Sequence, residues 1–377
     1  MLPARLKRLM LQVVQGMTLG TLTQVLVRNR LKVDWRCWDR LLYLTALGCF
    51  NSVMAVFEKR CNHYKIEGLD LVAPPVFILG HWRSGTTHLH NLLSLDENLY
   101  APSAFQAMFP HHLLYSKSWG APLFDRYAPK KRPMDDVAFF AHAPHEDEFA
   151  LAGLCAVSPY LSFLIPVTGD QPFSSLDPLR LPPEALDRWK TAFIYLLKKL
   201  TFHKGKRLLL KSPPHTGRVR VLLELFPEAK FVHLVRNPYE VFLSTRKLWY
   251  TSLAASHLQI PPPGLVEDRI FSWYKELHHL FSRDRDLIPA GNLLELKYED
   301  LVRQPRETLS ALYERLNLPG YPAFWERASR YLDSLRHYRP GRYQIDAVTR
   351  EKVAGQWAQA FAAYGYPIDL PEAKNRL

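Results

Sequence analysis

The residue types best suited to chemistry lie in one short segment, residues 80–87, whose sequence is GHWRSGTT. Gly80 and Gly85 bracket four residues, which is the glycine spacing of loops that hold phosphate groups between a strand and a helix. Backbone N–H groups and the helix dipole favour an anion at such a helix start. The loop also carries a cation and three hydroxyls that a compact anion could contact: Arg83, Ser84, Thr86 and Thr87. These side chains favour a phosphate site over an ordinary glycine-bounded turn.

The lysine that nucleotide-hydrolysing loops of this spacing carry is replaced here by Thr86. Without that lysine, the loop lacks the main cation for the β- and γ-phosphates of a nucleoside triphosphate. No clear magnesium-binding acid follows a predicted strand either. The pattern argues against a P-loop kinase or NTPase, which stays open as an alternative beside a non-catalytic, membrane-associated nucleotide-binding protein.

Strands that alternate with helices must position this loop. Val76–Leu79 is a short apolar run that ends at Gly80, which is typical of a buried parallel strand. Residues 84–95 then have the apolar spacing of a helix. Further strands are predicted at Arg207–Lys211, Lys230–Val235 and 293–296, and further helices at 186–200, 218–226, 239–249 and 306–316. This order predicts an α/β, P-loop-like three-layer fold with a central, mostly parallel sheet flanked by helices.

Two blocks of the sequence resemble the donor-binding motifs of the sulfotransferase family. Residues 83–87, Arg-Ser-Gly-Thr-Thr after an apolar strand, resemble its 5′-phosphosulfate loop. Residues 235–244, VRNPYEVFLS, resemble its 3′-phosphate motif, in which Arg236 ends a strand and Ser244 follows eight residues later. Asn237 stands where the family often has aspartate, and this departure leaves the arginine and serine contacts intact.

Shorter segments are similar to the bacterial and tyrosylprotein-type branch of the family. Residues 210–213 (LKSP) and 225–231 (LFPEAKF) are similar to its lysine-bearing strand and the helix that follows, and a common YEDL segment also recurs. The resemblance runs from about residue 75 to residue 367. We therefore expect residues 71–377 to form the sulfotransferase domain, preceded by an N-terminal helical extension over residues 1–70.

The resemblance implies 3′-phosphoadenosine 5′-phosphosulfate as the donor and no metal. Arg236 is expected to fork onto the 3′-phosphate, with Ser244 as a second donor. The residues expected to hold the 5′-phosphate are Arg83, Ser84, Gly85, Thr86 and Thr87. Lys211 is the implied cation at the bridging oxygen, and a strand-end lysine in solvent is the alternative. Arg339 and Arg342 more loosely resemble the loop that closes over the nucleotide, with solvated turn arginines as an equal alternative.

An acceptor hydroxyl or amine must lose a proton as the sulfuryl group arrives, so a base is expected. Bacterial members of the family carry an acidic block similar to the HEDE segment here, which supplies Glu146 and Glu148 as candidates. His145 joins them by analogy alone, since its spacing from the loop is similar to that of the catalytic histidine in cytosolic sulfotransferases. Adjacent acids resist joint ionisation when they are buried, which raises one pKa toward that of a useful base. A solvated helix N-terminus is an equal alternative, and His111 and His112 are weaker candidates.

Charge and the N-terminal segment bear on the partners. The formal net charge is +13 and no nucleic-acid-binding motif is present, which favours an anionic small molecule or a membrane over nucleic acid. Residues 41–57 are apolar with basic flanks, which favours a packed or membrane-surface helix over a span. Aromatic residues between 100 and 164 fit either an apolar cleft or a core. We expect a small-molecule, lipid or glycan acceptor and a cytoplasmic chain, with peripheral membrane contact through residues 1–68 as a hypothesis.

Overall fold

The computed structural model describes residues 12–135, 137–169, 171–335 and 344–368. Its helices and strands are, in chain order, α1 (Leu19–Arg28), α2 (Trp38–Glu67), β1 (Val76–Leu79), α3 (Thr86–Leu93), β2 (Leu99–Tyr100), α4 (Ala104–Met108), α5 (Lys117–Tyr127), α6 (Glu148–Cys155), α7 (Leu161–Leu164), α8 (Pro183–Lys204), β3 (Arg207–Lys211), α9 (Val219–Leu225), β4 (Lys230–Val235), α10 (Pro238–Thr251), α11 (Leu265–Asp284), β5 (Leu293–Lys297), α12 (Tyr298–Arg303), α13 (Pro305–Arg315), α14 (Tyr321–Ser334), α15 (Ala347–Gln356) and α16 (Ala358–Tyr364). Short 3₁₀ segments lie at Trp35–Cys37, Pro178–Arg180, Pro213–Gly217, Leu253–Ser256 and Arg285–Leu287.

The chain folds into two compact units that interleave along the sequence. The first unit comprises Met1–Ala73, Ala101–Leu208 and Trp249–Leu265, and the second comprises Pro74–Tyr100, Leu209–Leu248 and Val266–Leu377. The division into an extension over residues 1–70 and a domain over residues 71–377 stays a prediction.

A five-stranded sheet organises the second unit, with the strand order β2-β3-β1-β4-β5. Strand β1 lies between β3 and β4 and runs parallel to both, and β5 runs parallel to β4. All four side chains of β1 are buried, as expected for an apolar run covered on both faces. The predicted α/β class with a mostly parallel sheet is confirmed, whereas the short strand β2 was not predicted.

The register of the sheet brings three strand ends to one edge. Ile78 of β1 pairs with Lys211, the last residue of β3, and Leu79 pairs with His233 near the end of β4. The segments that begin with Gly80 and Arg236 therefore leave neighbouring strands at the same carboxyl edge. Ligands of open parallel sheets bind at this edge, where the strand order departs from the chain order.

The first unit is helical within its described residues. Between residues 100 and 181, the four short helices α4 to α7 are separated by irregular stretches. The periodicity there is weak because the helices are short and α5 contains Pro122. A capping box stabilises α4: the Ser103 hydroxyl accepts from the backbone N–H of Gln106, whose side chain accepts from the backbone N–H of Ser103.

Several aromatic residues between positions 100 and 164 form a core rather than a cleft. One buried cluster contains Phe105, Phe124 and Phe139 with Ala104, Met108, Ala121, Ala128 and Ala141, and the partly buried Phe109 and Phe149 pack against it. Phe163 is also buried, and it meets Trp249 edge-on at 4.9 Å between ring centroids. For these rings the core alternative is correct.

Candidate functional site

Gly80 starts the phosphate-type loop in a conformation that excludes a side chain. Its φ is 141°, in the region that favours glycine. A Cβ at this position would lie 2.5 Å from the carbonyl oxygen of Leu234 in β4. The backbone N–H of Gly80 donates to Thr216 Oγ1 over 2.8 Å, which ties the loop to the segment that follows β3. The glycine therefore permits the loop to leave β1 closely packed against its neighbours.

Gly85 allows the close approach of an aromatic ring. Its φ is 94°, and a Cβ would lie 2.2 Å from the ring of Tyr298. Helix α3 begins at the next residue, Thr86, and the backbone N–H of His88 donates to the Gly85 carbonyl over 2.9 Å. The loop therefore runs directly into the N-terminus of an eight-residue helix, where an anion is favoured.

Arg83 connects the two blocks that the sequence predicts to bind the donor. Its Nε donates to Ser244 Oγ over 2.8 Å, and its carbonyl oxygen accepts from Arg236 Nη1 over 3.3 Å. Arg83 itself has a φ of 70°, which is uncommon for a residue with a side chain. The backbone conformation thus aims this side chain toward helix α10, so the predicted loop and the predicted 3′-phosphate pair form one cluster.

The guanidinium of Arg236 is held by two groups of the second unit. Its Nε donates to Glu240 Oε2 over 2.7 Å, and Nη2 donates to the same oxygen. The guanidinium carbon lies 4.5 Å above the centroid of the Tyr298 ring, a cation–π geometry. The Glu240 carboxylate, near the start of α10, therefore occupies the guanidinium fork of Arg236.

Lys211 is buried at the carboxyl edge of the sheet, with 2% of its surface exposed. It ends β3 opposite Ile78 of the strand that leads into the loop. Ser212 follows it and is fully buried. The alternative of a lysine in solvent at the strand end is therefore wrong, and a buried ammonium requires compensating polar or anionic groups.

The second residue of the loop, His81, carries no charge at neutral pH. Burial lowers its pKa to about 4, against the opposing effect of its hydrogen bond with the Trp82 carbonyl. Its ring lies 4.9 Å from the ring of Tyr274. The positive charge of the loop therefore comes from Arg83.

Three residues of this cluster were not singled out from the sequence. Thr216 caps the amide of Gly80, Tyr298 lies between Gly85 and Arg236, and Glu240 binds Arg236. Glu240 could have been found from its position at the start of the predicted helix 239–249, four residues after Arg236. Tyr298 had a signal too, because it opens the YEDL segment.

The acidic block predicted to serve the acceptor lies in the first unit. Glu148 is fully buried at the start of α6 and accepts from Ser158 Oγ over 2.6 Å. Glu146 is half-buried and accepts from the hydroxyl of Tyr160. The imidazole of His145 lies 4.5 Å from the ring of Phe149, which is partly buried. The alternative of a solvated helix N-terminus is wrong for Glu148.

His111 and His112, the weaker candidates, belong to the packing of the first unit. His111 Nε2 lies 3.2 Å from the Gly153 carbonyl, and burial lowers the pKa of this histidine to about 4. His112 lies 2.6 Å from Ser116 Oγ and 3.1 Å from Asn51 Oδ1, and burial lowers its pKa to about 3. Both rings are neutral and occupied by neighbouring protein groups.

Two predicted nucleotide contacts, Arg339 and Arg342, lie outside the described residues. Across the residues that the structure describes, no cluster of three or more His, Cys, Asp and Glu could hold a metal ion.

The comparison with known proteins confirms the resemblance to the sulfotransferase family. Residues 74–323 match the sulfotransferase family. Omega-hydroxy-beta-dihydromenaquinone-9 sulfotransferase Stf3 of Mycobacterium bovis is 33% identical over 357 residues, which cover 95% of this chain and 92% of that protein. The Stf3 protein of Mycobacterium tuberculosis matches to the same extent.

Solved structures share the fold at lower identity. Sulfotransferase STF1 of Mycobacterium tuberculosis superposes with a TM-score of 0.65 at 14% identity, covering 90% of this chain and 91% of that one. Sulfotransferase STF9 of Mycobacterium avium gives a TM-score of 0.62 at 19% identity, covering 85% and 83%. The extent of the family match and the full-length relative together establish that this chain belongs to the sulfotransferase family and is an enzyme of sulfuryl transfer.

Proposed function

We propose that this enzyme transfers the sulfuryl group of 3′-phosphoadenosine 5′-phosphosulfate to a hydroxyl of an apolar, lipid-like acceptor. The single observation that carries the donor half is the contact of Arg83 Nε with Ser244 Oγ at 2.8 Å. It supports one site for both ends of the donor, because each residue belongs to a different predicted phosphate motif.

In this proposal the donor binds by its two anionic ends. The backbone N–H groups at the start of α3 and the side chain of Arg83 take the 5′-phosphate. Arg236 and Ser244 take the 3′-phosphate by charge-assisted hydrogen bonds. Glu240 must release part of the Arg236 guanidinium when the 3′-phosphate arrives, since two anions cannot share that fork. The roles of Arg339 and Arg342 in covering the nucleotide stay predictions.

We propose that the sulfuryl group is transferred by an in-line displacement at sulfur. An acceptor oxygen forms a bond to sulfur while the bond between sulfur and the bridging phosphate oxygen breaks. The acceptor proton passes to a base, and the leaving group is adenosine 3′,5′-bisphosphate. Negative charge grows on the bridging oxygen, and we assign its stabilisation to the ammonium of Lys211. Its burial supports this role, because a cation acts more strongly where water is excluded.

The base is proposed to come from the acidic block at residues 145–148. Glu146 is the first choice, because it is half-buried and its contact is a phenol hydroxyl. Glu148 is fully buried and accepts a hydrogen bond from Ser158, so we assign it the role of positioning the acidic block. His145 is the second choice. Glu146→Gln should remove the rate increase with pH that a base produces, whereas Glu148→Gln should lower the rate at every pH.

The acceptor class rests on the full-length relative. Stf3 is, by its name, a sulfotransferase of an omega-hydroxylated dihydromenaquinone, and it aligns along 95% of this chain. A hydroxyl carried by an apolar chain would partition into a membrane. We therefore propose a lipid acceptor over a glycan or a small soluble alcohol, and a cytoplasmic enzyme that works at the membrane surface.

Calorimetry tests the donor half. Adenosine 3′,5′-bisphosphate should bind in clear preference to ATP, and the preference should be lost in Arg236→Ala and weakened in Arg83→Ala. Equal or tighter binding of ATP by the unmodified chain would refute the proposed donor.

Transfer of radiolabelled sulfate tests the acceptor half. The full chain is offered an omega-hydroxylated polyprenyl quinone, a short soluble alcohol and an oligosaccharide at equal concentration, each with the same donor. The proposal expects label mainly in the quinone. Preferential labelling of the oligosaccharide would leave the donor site intact and disprove the lipid acceptor.

A further inference from the structure

Helix α2 exposes a continuous apolar stripe. Together with the exposed Ala46, its large members recur every three or four residues and are between 41% and 70% exposed: Trp38, Leu42, Phe50, Val53 and Val56. Ala46 and Cys49 continue the same face. Residues 41–57 contain no charged side chain, so the face carries no polar cover over this length. A water-facing helix of a globular unit normally presents charged residues there.

The opposite face of α2 is fixed to the first unit by buried polar contacts. Asn51 Nδ2 donates to the carbonyl oxygens of Gln15 and Met17, each over 2.8 Å. Glu58 forms an ion pair with Lys199, and its second oxygen accepts from the backbone N–H of Leu114 over 2.9 Å. Both members of the ion pair are 1% exposed.

These contacts decide between crossing a membrane and lying on one. By length and apolar composition, Trp35–Glu67 could cross a bilayer. To do so it would have to leave the unit and carry Asn51 and Glu58 into hydrocarbon, where each unpartnered polar group is costly. With those contacts kept, the exposed stripe can meet a membrane along its length, which is about 27 Å from Trp38 to Val56.

The ends of the stripe match a bilayer interface. Trp35 and Trp38 are exposed at its amino end, and tryptophan side chains favour the headgroup level. Lys59, Arg60 and Lys65 are exposed beyond its carboxyl end, where they can reach anionic headgroups. Apolar surface with cationic margins is complementary to an anionic lipid surface more than to a second copy of a chain whose net charge is +13.

We propose that the exposed face of α2 docks the protein in the plane of an anionic membrane without crossing it. The proposal goes beyond the transfer chemistry, because it concerns a surface that uses neither donor nor acceptor. It also gives the chain a way to reach an acceptor that stays in lipid.

Flotation with vesicles tests the surface. The full chain should bind phosphatidylcholine vesicles that contain one third phosphatidylglycerol, and should bind pure phosphatidylcholine vesicles more weakly. Val53→Glu and Val56→Glu should each lower the partition coefficient by about tenfold, because a charge then enters the apolar boundary. The matched control is Val302→Glu, since Val302 is 54% exposed and Val53 is 55% exposed. The control should bind like the unmodified chain.

The orientation is read from two native cysteines. Cys49 lies on the stripe and Cys61 lies beyond it, and both are exposed. An environment-sensitive fluorophore on Cys49 (in Cys61→Ser) should shift to the blue with anionic vesicles, whereas one on Cys61 (in Cys49→Ser) should not. Alkaline carbonate should release the bound chain.

Four results would overturn the proposal. Two concern binding itself: no vesicle binding at low salt, and a loss of binding in Val302→Glu equal to that in Val53→Glu. The third is resistance of the bound chain to carbonate, which indicates a membrane span. The fourth is a dimer in the absence of lipid that dissociates in Val53→Glu, which indicates that a second copy covers this face.

Discussion

Two lysines of this enzyme are buried to nearly the same extent, in regions built differently. Lys199, in helix α8 of the first unit, is 1% exposed and pairs with Glu58, and its ammonium also donates to the Pro110 carbonyl over 2.5 Å. Lys211 of the second unit is 2% exposed and ends strand β3 at the carboxyl edge of a parallel sheet. The first is enclosed by structural partners, and the second lies where ligands bind. Burial of a cation therefore does not by itself identify its role, whereas its position on the fold does.

Removing the partner of Lys199 should have the largest effect, and on stability alone. Glu58→Ala leaves an uncompensated buried ammonium, which should lower the free energy of unfolding by about 3–5 kcal/mol. Urea unfolding of the full chain measures the loss. The double variant Glu58→Leu with Lys199→Met should recover much of it, because neither charge then remains. A double variant no more stable than Glu58→Ala would mean that packing, not the charge pair, is what matters at this position.

Removing the charge of Lys211 should act on turnover instead. Lys211→Met keeps the length of the side chain, so we expect kcat to fall by about 10²–10³-fold, the cost of losing one group that stabilises developing charge. Affinity for adenosine 3′,5′-bisphosphate should change little. The control is Lys230→Met at the amino end of strand β4, on the opposite edge of the sheet, and this variant should keep the turnover of the unmodified chain. An unchanged kcat in Lys211→Met would place this lysine with Lys199, among the structural cations.

Arg236 should govern the discrimination of the 3′-phosphate. Arg236→Ala should weaken adenosine 3′,5′-bisphosphate by about 30–100-fold, since charge-assisted bidentate bonds are the stronger class. Binding of adenosine 5′-monophosphate should stay nearly the same. The affinity of Arg236→Lys for adenosine 3′,5′-bisphosphate should lie between those of the unmodified chain and Arg236→Ala, because an ammonium cannot form a bidentate contact. If calorimetry shows that Arg236→Ala loses affinity equally for both nucleotides, Arg236 positions the loop through the Arg83 carbonyl rather than contacting the 3′-phosphate.

What the sequence could predict differs between the two regions for a physical reason. Strand β1, its loop and helix α3 follow one another within 20 residues, so local periodicity and glycine spacing identify them. The contacts of Tyr298 with Gly85 and of Glu58 with Lys199 join residues more than 100 positions apart, and no local pattern contains them. The exposed face of α2 was visible only as apolar composition, because sequence alone does not tell which apolar side chains are covered.

The close approach of Tyr298 makes Gly85 a sharper test than its spacing alone. Gly85→Ala should lower affinity for adenosine 3′,5′-bisphosphate by about tenfold, because strain of this kind costs about 1–3 kcal/mol and part of it falls on the loop. Gly205 is the matched control: its φ is also positive, at 59°, but a Cβ there would meet nothing within 4 Å. Gly205→Ala should lower thermal stability slightly and leave affinity unchanged. If Gly85→Ala and Gly205→Ala bind adenosine 3′,5′-bisphosphate with equal affinity, the contact between Gly85 and Tyr298 does not contribute to donor binding.

The smallest expected effect concerns Glu240, whose carboxylate occupies the Arg236 fork. Glu240→Gln keeps the shape and removes the negative charge, so the 3′-phosphate no longer competes with an anion. We expect adenosine 3′,5′-bisphosphate to bind about threefold tighter, the scale of a partly exposed ion pair. The gain should be absent for adenosine 5′-monophosphate, which does not use the fork. Weaker binding of the bisphosphate would show the opposite role, in which Glu240 holds Arg236 in place for the ligand, as Glu58 holds Lys199 in the first unit.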